Sequence, residues 1–128
     1  MTRRTFHFRR EGEQAFGYAQ AVLSGQTLHV SGTLALTETF QTMSAGNMRA
    51  QLIAVYDALG QTLEAFDLRF ANVVKETIFV TDIDAFIEAN DIRLAIYADL
   101  DPPAVTAVEI RRLAFPDNLV EIELIAAL

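Results

Sequence analysis

Three carboxylates near the C-terminus have the clearest capacity for chemistry in this sequence. Glu121 and Glu123 interrupt the apolar run Leu119-Val120-Glu121-Ile122-Glu123-Leu124-Ile125, two residues apart and therefore on one face of a strand. Glu109 stands in the preceding strand, within Val105-Thr106-Ala107-Val108-Glu109-Ile110. A carboxylate on a buried sheet face is expensive unless it is paired or hydrogen-bonded. Beside a cleft, one of them can hold a water and act as a general base. The plainer alternatives are a solvated face, or pairing of Glu109 with Arg111 or Arg112. His7 and His29 are the only histidines, which argues against a multi-His metal centre within one chain. His29 alternates with Ser31 and reads as an exposed or edge residue. There is no Cys, hence no disulfide scaffold, Cys-ligated zinc or cysteine nucleophile. A P-loop, a dinucleotide glycine fingerprint, HExxH and a nucleophile elbow are all missing. No metal site is expected.

The elements that would position these carboxylates follow from periodicity. Thr5 to Arg10 alternates weakly, as an edge strand would. Gln14 to Leu23 reads as a loop and then an extended segment, and Ser24-Gly25-Gln26 as a turn. Thr27 to Ser31 alternates polar and apolar, which suits a half-buried strand. Gly32 continues that pattern, and a glycine inside a strand lets a ligand or another backbone come close. Residues 37–47 have no period and read as a loop. From Asn47 to Phe66, Leu52, Val55, Tyr56, Leu59, Leu63 and Phe66 fall at helical spacings and predict a long amphipathic helix. Val73 to Val80 is β-branched and aromatic, hence a strand. Asp82 or Asp84 caps a second helix, with Ile83, Phe86, Ile87, Leu94 and Tyr97 on one side, ended by Pro102-Pro103. Strands over Ala104–Ile110 and Leu119–Ile125 close the chain, with a turn at Pro116-Asp117-Asn118. The predicted fold class is α+β: a mixed sheet with two helices on one face.

The chain has 128 residues, the length of one domain, and no linker or repeat divides residues 1–128. With 17 acidic and 10 basic side chains its net charge is −7, which argues against a general nucleic-acid binder. No apolar run approaches the ~18 residues of a membrane span. The first eight residues lack the apolar core of a signal peptide. A soluble, cytoplasmic protein is expected, with no membrane partner. Hydrophobic residues make up 52% of the chain, more than so small a domain can bury. The surplus, and the sheet face that the helices leave open, predict a homo-oligomer with ligand sites in clefts between subunits.

An ordered set of segments adds to this. Gly17-Tyr18-Ala19-Gln20-Ala21-Val22, Val30-Ser31-Gly32, Val73 to Asp82, Pro103-Ala104, Val108-Glu109-Ile110 and Val120-Glu121-Ile122-Glu123 together resemble the Rid family of reactive-intermediate deaminases, also called the YjgF or L-PSP endoribonuclease family. The likeness runs from about residue 14 to the C-terminus. It implies a chorismate-mutase-like α+β fold, a homotrimer, and three inter-subunit clefts that hydrolyse enamine and imine intermediates to 2-oxo acids and ammonia without a cofactor. By the same resemblance Tyr18, Ser31, Gly32 and Asn90 line the cleft, and Glu121 positions water. Where archetypal members carry an Arg after Pro-Ala to grip the substrate carboxylate, this chain has Val105, and the nearby family Cys is Ala107. The Pro that precedes the family's Tyr is missing between Gly17 and Tyr18.

Arg111 lies six residues beyond position 105, about 20 Å along a strand and out of reach. Arg93, one helical turn after Asn90, is the better candidate substitute, the plainer reading being a solvated helix Arg. The expected function is a Rid-type small-molecule hydrolase that is not an archetypal 2-imino acid deaminase. The alternatives are a non-catalytic metabolite-binding trimer and, against the charge balance, an endoribonuclease.

Overall fold

The computed structural model describes residues 3–128. The chain runs β1 (Arg3–Phe6), α1 (Arg10–Phe16), β2 (Ala21–Ser24), β3 (Thr27–Thr33), α2 (Met48–Glu64), β4 (Val73–Val80), α3 (Ile83–Glu88), α4 (Asp91–Ile96), β5 (Ala104–Glu109) and β6 (Val120–Ala127), with a 3₁₀ turn at Phe70–Asn72. The six strands form one sheet in the order β1-β2-β3-β6-β4-β5. Only β4 and β5 are parallel, and α3 and α4 form the crossover between them. This is the mixed α+β sheet that the element order predicts.

Helix α2 begins at Asn47, whose side chain accepts the Ala50 N–H at 3.0 Å. Its predicted stripe, Leu52, Val55, Tyr56, Leu59 and Leu63, is buried, and Phe66 is buried just beyond its end. The stripe lies across β3 and β6, with α3 and α4 beside it. The main core is therefore α2 against Leu28, Val30, Ile78, Ile122 and Leu124 of the central strands. A smaller apolar cluster gathers Leu34, Leu36 and Leu113, backed by Phe40, Phe79 and Phe115.

Two elements differ from expectation. The first strand ends at Phe6, and Arg10–Phe16 is helical rather than strand and loop. The cause is Glu13, a buried side chain whose carboxylate accepts the Arg9 N–H at 2.6 Å and the Phe8 N–H at 3.2 Å, and contacts His7 Nδ1 at 2.8 Å. Those bonds tie the residues just before α1 back onto the helix, and Gly17, at φ 88°, closes the helix in the left-handed region. The second predicted helix is two short ones. The Asp82 side chain caps α3 by accepting the Ala85 N–H, and the chain breaks at Ala89-Asn90 before α4. The break rotates the faces: Phe86 and Tyr97 are buried, but Ile87 and Leu94 point to solvent. Three helices, α2, α3 and α4, thus stand where two were expected.

Candidate functional site

The sheet register decides which candidates can meet. On β4 the side chains of Glu76, Ile78 and Val80 are buried beneath the helices. Their partners on β5 are Val105, Ala107 and Glu109, which share that face. On the other side, Phe79 pairs with Glu121 and Thr77 with Glu123, both on the open face. Glu121 and Glu123 therefore sit together as predicted, but Glu109 does not join them. Nor does it pair with Arg111 or Arg112: its carboxylate accepts the Ile83 N–H at 3.1 Å, at the start of α3. His29 is exposed, as expected.

Glu121 meets Gly32 through a bulge in β3. Val30 pairs with Leu124 but Thr33 with Ile122, so Ser31 and Gly32 together oppose one residue of β6. The bulge brings Gly32 beneath the Glu121 carboxylate. A Cβ on Gly32 would lie 2.6 Å from Glu121 Oε2 and 2.7 Å from its Cδ. Only a glycine leaves the carboxylate this seat. Among the described residues no hydrogen bond or ion pair reaches the Glu121 carboxylate. Burial, and secondarily the charge of Glu123, push its pKa above the usual carboxylate range. Tyr18 shares the cavity. Its phenol is also pushed up, first by burial and then by Glu13, with Glu121 contributing and Arg9 opposing.

The cavity over Glu121 has a volume of about 270 Å³, and Tyr18, Gly32, Phe16, Phe40 and Phe115 are among its walls. The three phenylalanines form a cluster. Phe16 and Phe40 stack with centroids 5.7 Å apart and planes 9° apart, while Phe115 stands edge-on to both, 6.5 Å from Phe16 and 5.8 Å from Phe40. Gly12 makes room for Phe40, since a Cβ there would lie 2.6 Å from the ring. Phe40 itself holds φ 59°, a left-handed conformation that is strained for a bulky residue. Asn118 fixes the loops behind this wall: its Nδ2 donates to the Ala35 carbonyl and its Oδ1 accepts the Thr42 hydroxyl. Sequence reasoning missed the aromatic cluster, because its members come from three distant segments with no shared period.

The remaining predicted residues lie elsewhere. Ser31 borders the site indirectly: its Oγ donates to the Ala19 carbonyl at 2.6 Å and ties the Tyr18 segment to β3. Asn90, Val105 and Ala107 belong to the helix side and to β5, the sheet's last strand, away from Glu121. Val105 is 41% exposed. Arg93 is neither solvated nor free. Its Nη2 and Nε donate to Oε1 of the fully buried Glu76 at 2.7 and 3.0 Å, its Nε also donates to the Tyr56 hydroxyl at 2.9 Å, and its Nη1 reaches Asn90 Oδ1 at 3.3 Å. Tyr97 completes the cluster by donating to Glu76 Oε2 at 2.6 Å. Burial, reinforced by Glu76, pushes the phenols of Tyr56 and Tyr97 up, while Tyr56 and Glu76 hold Arg93 firmly charged against its own desolvation. A guanidinium neutralised in this way is a poor anchor for a second carboxylate. The signal for the cluster was Glu76 itself, a charge in the buried register of an apolar strand.

Comparison with known proteins bears on the family and the fold. The sequence profile of the Endoribonuclease L-PSP family matches residues 10–128. A RutC family protein of Synechocystis sp. is 35% identical over 112 residues, covering 87% of this chain and 85% of that one. The bovine 2-iminobutanoate/2-iminopropanoate deaminase is 32% identical over 109 residues, covering 85% of this chain and 78% of that one. Among solved structures, a Rid-family protein of Yersinia pestis superposes with a TM-score of 0.88 at 25% identity, covering 99% of this chain and 100% of that one. The YjgF gene product of E. coli gives a TM-score of 0.83 at 28% identity, covering 97% of this chain and 98% of that one. No helix among the described residues is long and apolar enough to cross a membrane. The chain belongs to the Endoribonuclease L-PSP family, whose Rid-type α+β fold it carries.

Proposed function

We propose that this protein is a cofactor-independent hydrolase of imines, with Glu121 as its catalytic base, and that it acts poorly on 2-imino acids. The observation that carries the reading is the Glu121 carboxylate, unpartnered and seated on Gly32 inside a cavity it shares with Tyr18. A carboxylate whose pKa is raised by burial is suited to take and return a proton. In the proposed reaction the substrate enters as the protonated imine, C=NH₂⁺, and Glu121 takes a proton from water as the water oxygen bonds to the imine carbon. The resulting carbinolamine receives that proton on nitrogen. The C–N bond then breaks, ammonia leaves, and the hydroxyl proton passes to the carboxylate as the carbonyl forms.

We further propose that the working form is a homotrimer whose clefts join two half-sites from different subunits. One half is Tyr18, Ser31, Gly32 and Glu121; the other is Asn90, Val105 and Ala107. In one chain the halves lie on opposite faces of the sheet, so only a second copy brings them together. All six residues of β5 are exposed, with Val105 and Val108 among them, and an apolar edge strand of this kind calls for a cover. Val105 offers no charge to a substrate carboxylate, and Arg93 is already occupied by Glu76.

The test generates imines in place with amine and amino-acid oxidases and follows their decay with and without the protein. Faster decay that Glu121→Ala abolishes, in a variant that keeps its assembly state, supports the reading. Binding of small amines without any acceleration of imine decay would make the protein a binding module instead.

A further inference from the structure

The cavity over Glu121 differs from a carboxylate-binding cleft in its electrostatics. No basic side chain is among its walls. Arg9, whose charge reaches Tyr18, is not among those walls and is already engaged: its Nε and Nη2 donate to the Leu36 carbonyl at 3.1 and 2.7 Å, and its guanidinium lies over the Phe8 ring. What the cavity does present is the face and edge of Phe16, Phe40 and Phe115 together with the Glu121 carboxylate. Aromatic faces carry negative potential and attract cations. A second hollow of about 280 Å³, also walled by Phe16 and Phe40, is bordered by Glu11 and Glu38, which adds negative charge. The backbone of Phe40 is held strained at φ 59° and its ring is accommodated only because residue 12 is glycine. Strain maintained in this way is a mark of sites rather than of ordinary loops.

Resting on the reading of this cavity as the hydrolytic site, we propose that it selects an iminium cation carrying a flat apolar group such as an aryl ring. The ring enters among Phe16, Phe40 and Phe115, and the C=NH₂⁺ group lies against Glu121. At about 270 Å³ the cavity is near the small end of ligand sites, suited to a single ring. Hydrolysis of such a substrate balances simply. The water oxygen bonds to the imine carbon, the C–N bond breaks, and nitrogen leaves as ammonium carrying both water protons, with an aromatic aldehyde as the other product.

Calorimetric titration with three probes of one shape tests the selection without turnover. Benzylamine is cationic at neutral pH, benzyl alcohol is neutral and benzoate is anionic. The expected order of affinity is benzylamine, then benzyl alcohol, then benzoate. Phe16→Ala should weaken benzylamine about tenfold. Phe16 is 70% exposed, so its removal does not threaten the fold. Glu121→Gln should remove most of the preference for benzylamine over benzyl alcohol. Benzoate binding as tightly as benzylamine, or benzylamine binding unchanged in Phe16→Ala, overturns the proposal. Turnover separates it from the hydrolase reading. Benzylamine binding with no imine hydrolysis sinks the hydrolase and leaves the selectivity standing. Rapid hydrolysis of the aliphatic imine made from ethylamine by an amine oxidase, with no benzylamine binding, does the reverse.

Discussion

Replacing Gly32 by Ala adds one methyl group beneath the Glu121 carboxylate. Gly32 does not lie in the left-handed region, so its backbone accepts an L side chain. Alanine within a strand should even favour folding by about 0.5–1 kcal/mol, because glycine loses more freedom on ordering. The difficulty is local. The new Cβ would stand 2.6 Å from Glu121 Oε2 and 3.0 Å from its Cγ, inside any real contact distance. The side chain is flexible and partly solvated, so it swings aside rather than unfolding the sheet. To reach ordinary contact it retreats roughly 1 Å, a displacement that at a reacting group costs about 10²-fold in rate. The expected result is a variant of equal or greater stability with imine turnover reduced about a hundredfold. Urea denaturation reads the first quantity and imine decay the second. Serine at position 32 should behave like alanine. Full activity in Gly32→Ala would refute the reasoning, because the Glu121 position would then be immaterial to the chemistry. Loss of folding would refute it as well, since it assigns the glycine a purely structural role.

Three further outcomes are expected. Val105→Arg should raise activity on 2-iminopropanoate by about two orders of magnitude, since an unpaired buried charge costs about 3–5 kcal/mol; no gain in a folded variant would mean that the Glu76–Arg93 cluster beside position 105 captures the new side chain. Because burial raises the Glu121 pKa, the folded chain holds that proton more tightly than the unfolded one, and the stability from this group is lost as pH rises through the folded value. Glu121→Gln should therefore be the more stable protein at pH 7, with the difference closing below the ordinary carboxylate value of about 4.3, as urea midpoints across pH would show. Sedimentation equilibrium should give a species of three chains, and one at 14.2 kDa would overturn the shared-site reading.

Much of this architecture is legible in the residues. The strand Val73–Val80 and the stripe of α2 are found where periodicity places them, because burial on one face writes a regular pattern. Helix α1 leaves no such pattern: its one buried residue is Glu13, and what holds it is a set of hydrogen bonds. The available signals were two early glutamates and Gly17. The break at Asn90 is equally silent, since the apolar spacing from Ile83 to Tyr97 suits one helix or two. In the site, Glu121 and Gly32 stand out as a charge and a glycine within strands. The aromatic wall could not be read, because it depends on loops from three parts of the chain converging. The spacing of Arg93 from Asn90 predicts that they share a face, and the two side chains do meet, but the ion-pair partner Glu76 comes from a distant strand and leaves no local signal.

The cluster of Glu76, Arg93, Tyr56 and Tyr97 also constrains how this lineage can change. Each member satisfies another in the interior, so losing one charge strands its partner at about 3–5 kcal/mol. That is a large share of what keeps a small domain folded. Positions 76 and 93 are therefore free to drift together and hardly at all alone. An ancestor with apolar residues at both sites could be as stable as the present protein, yet every single-step path between the two passes through a poorly folded intermediate. Relatives should accordingly divide into those that carry the acid and the arginine and those that carry neither, with the mixed states nearly empty.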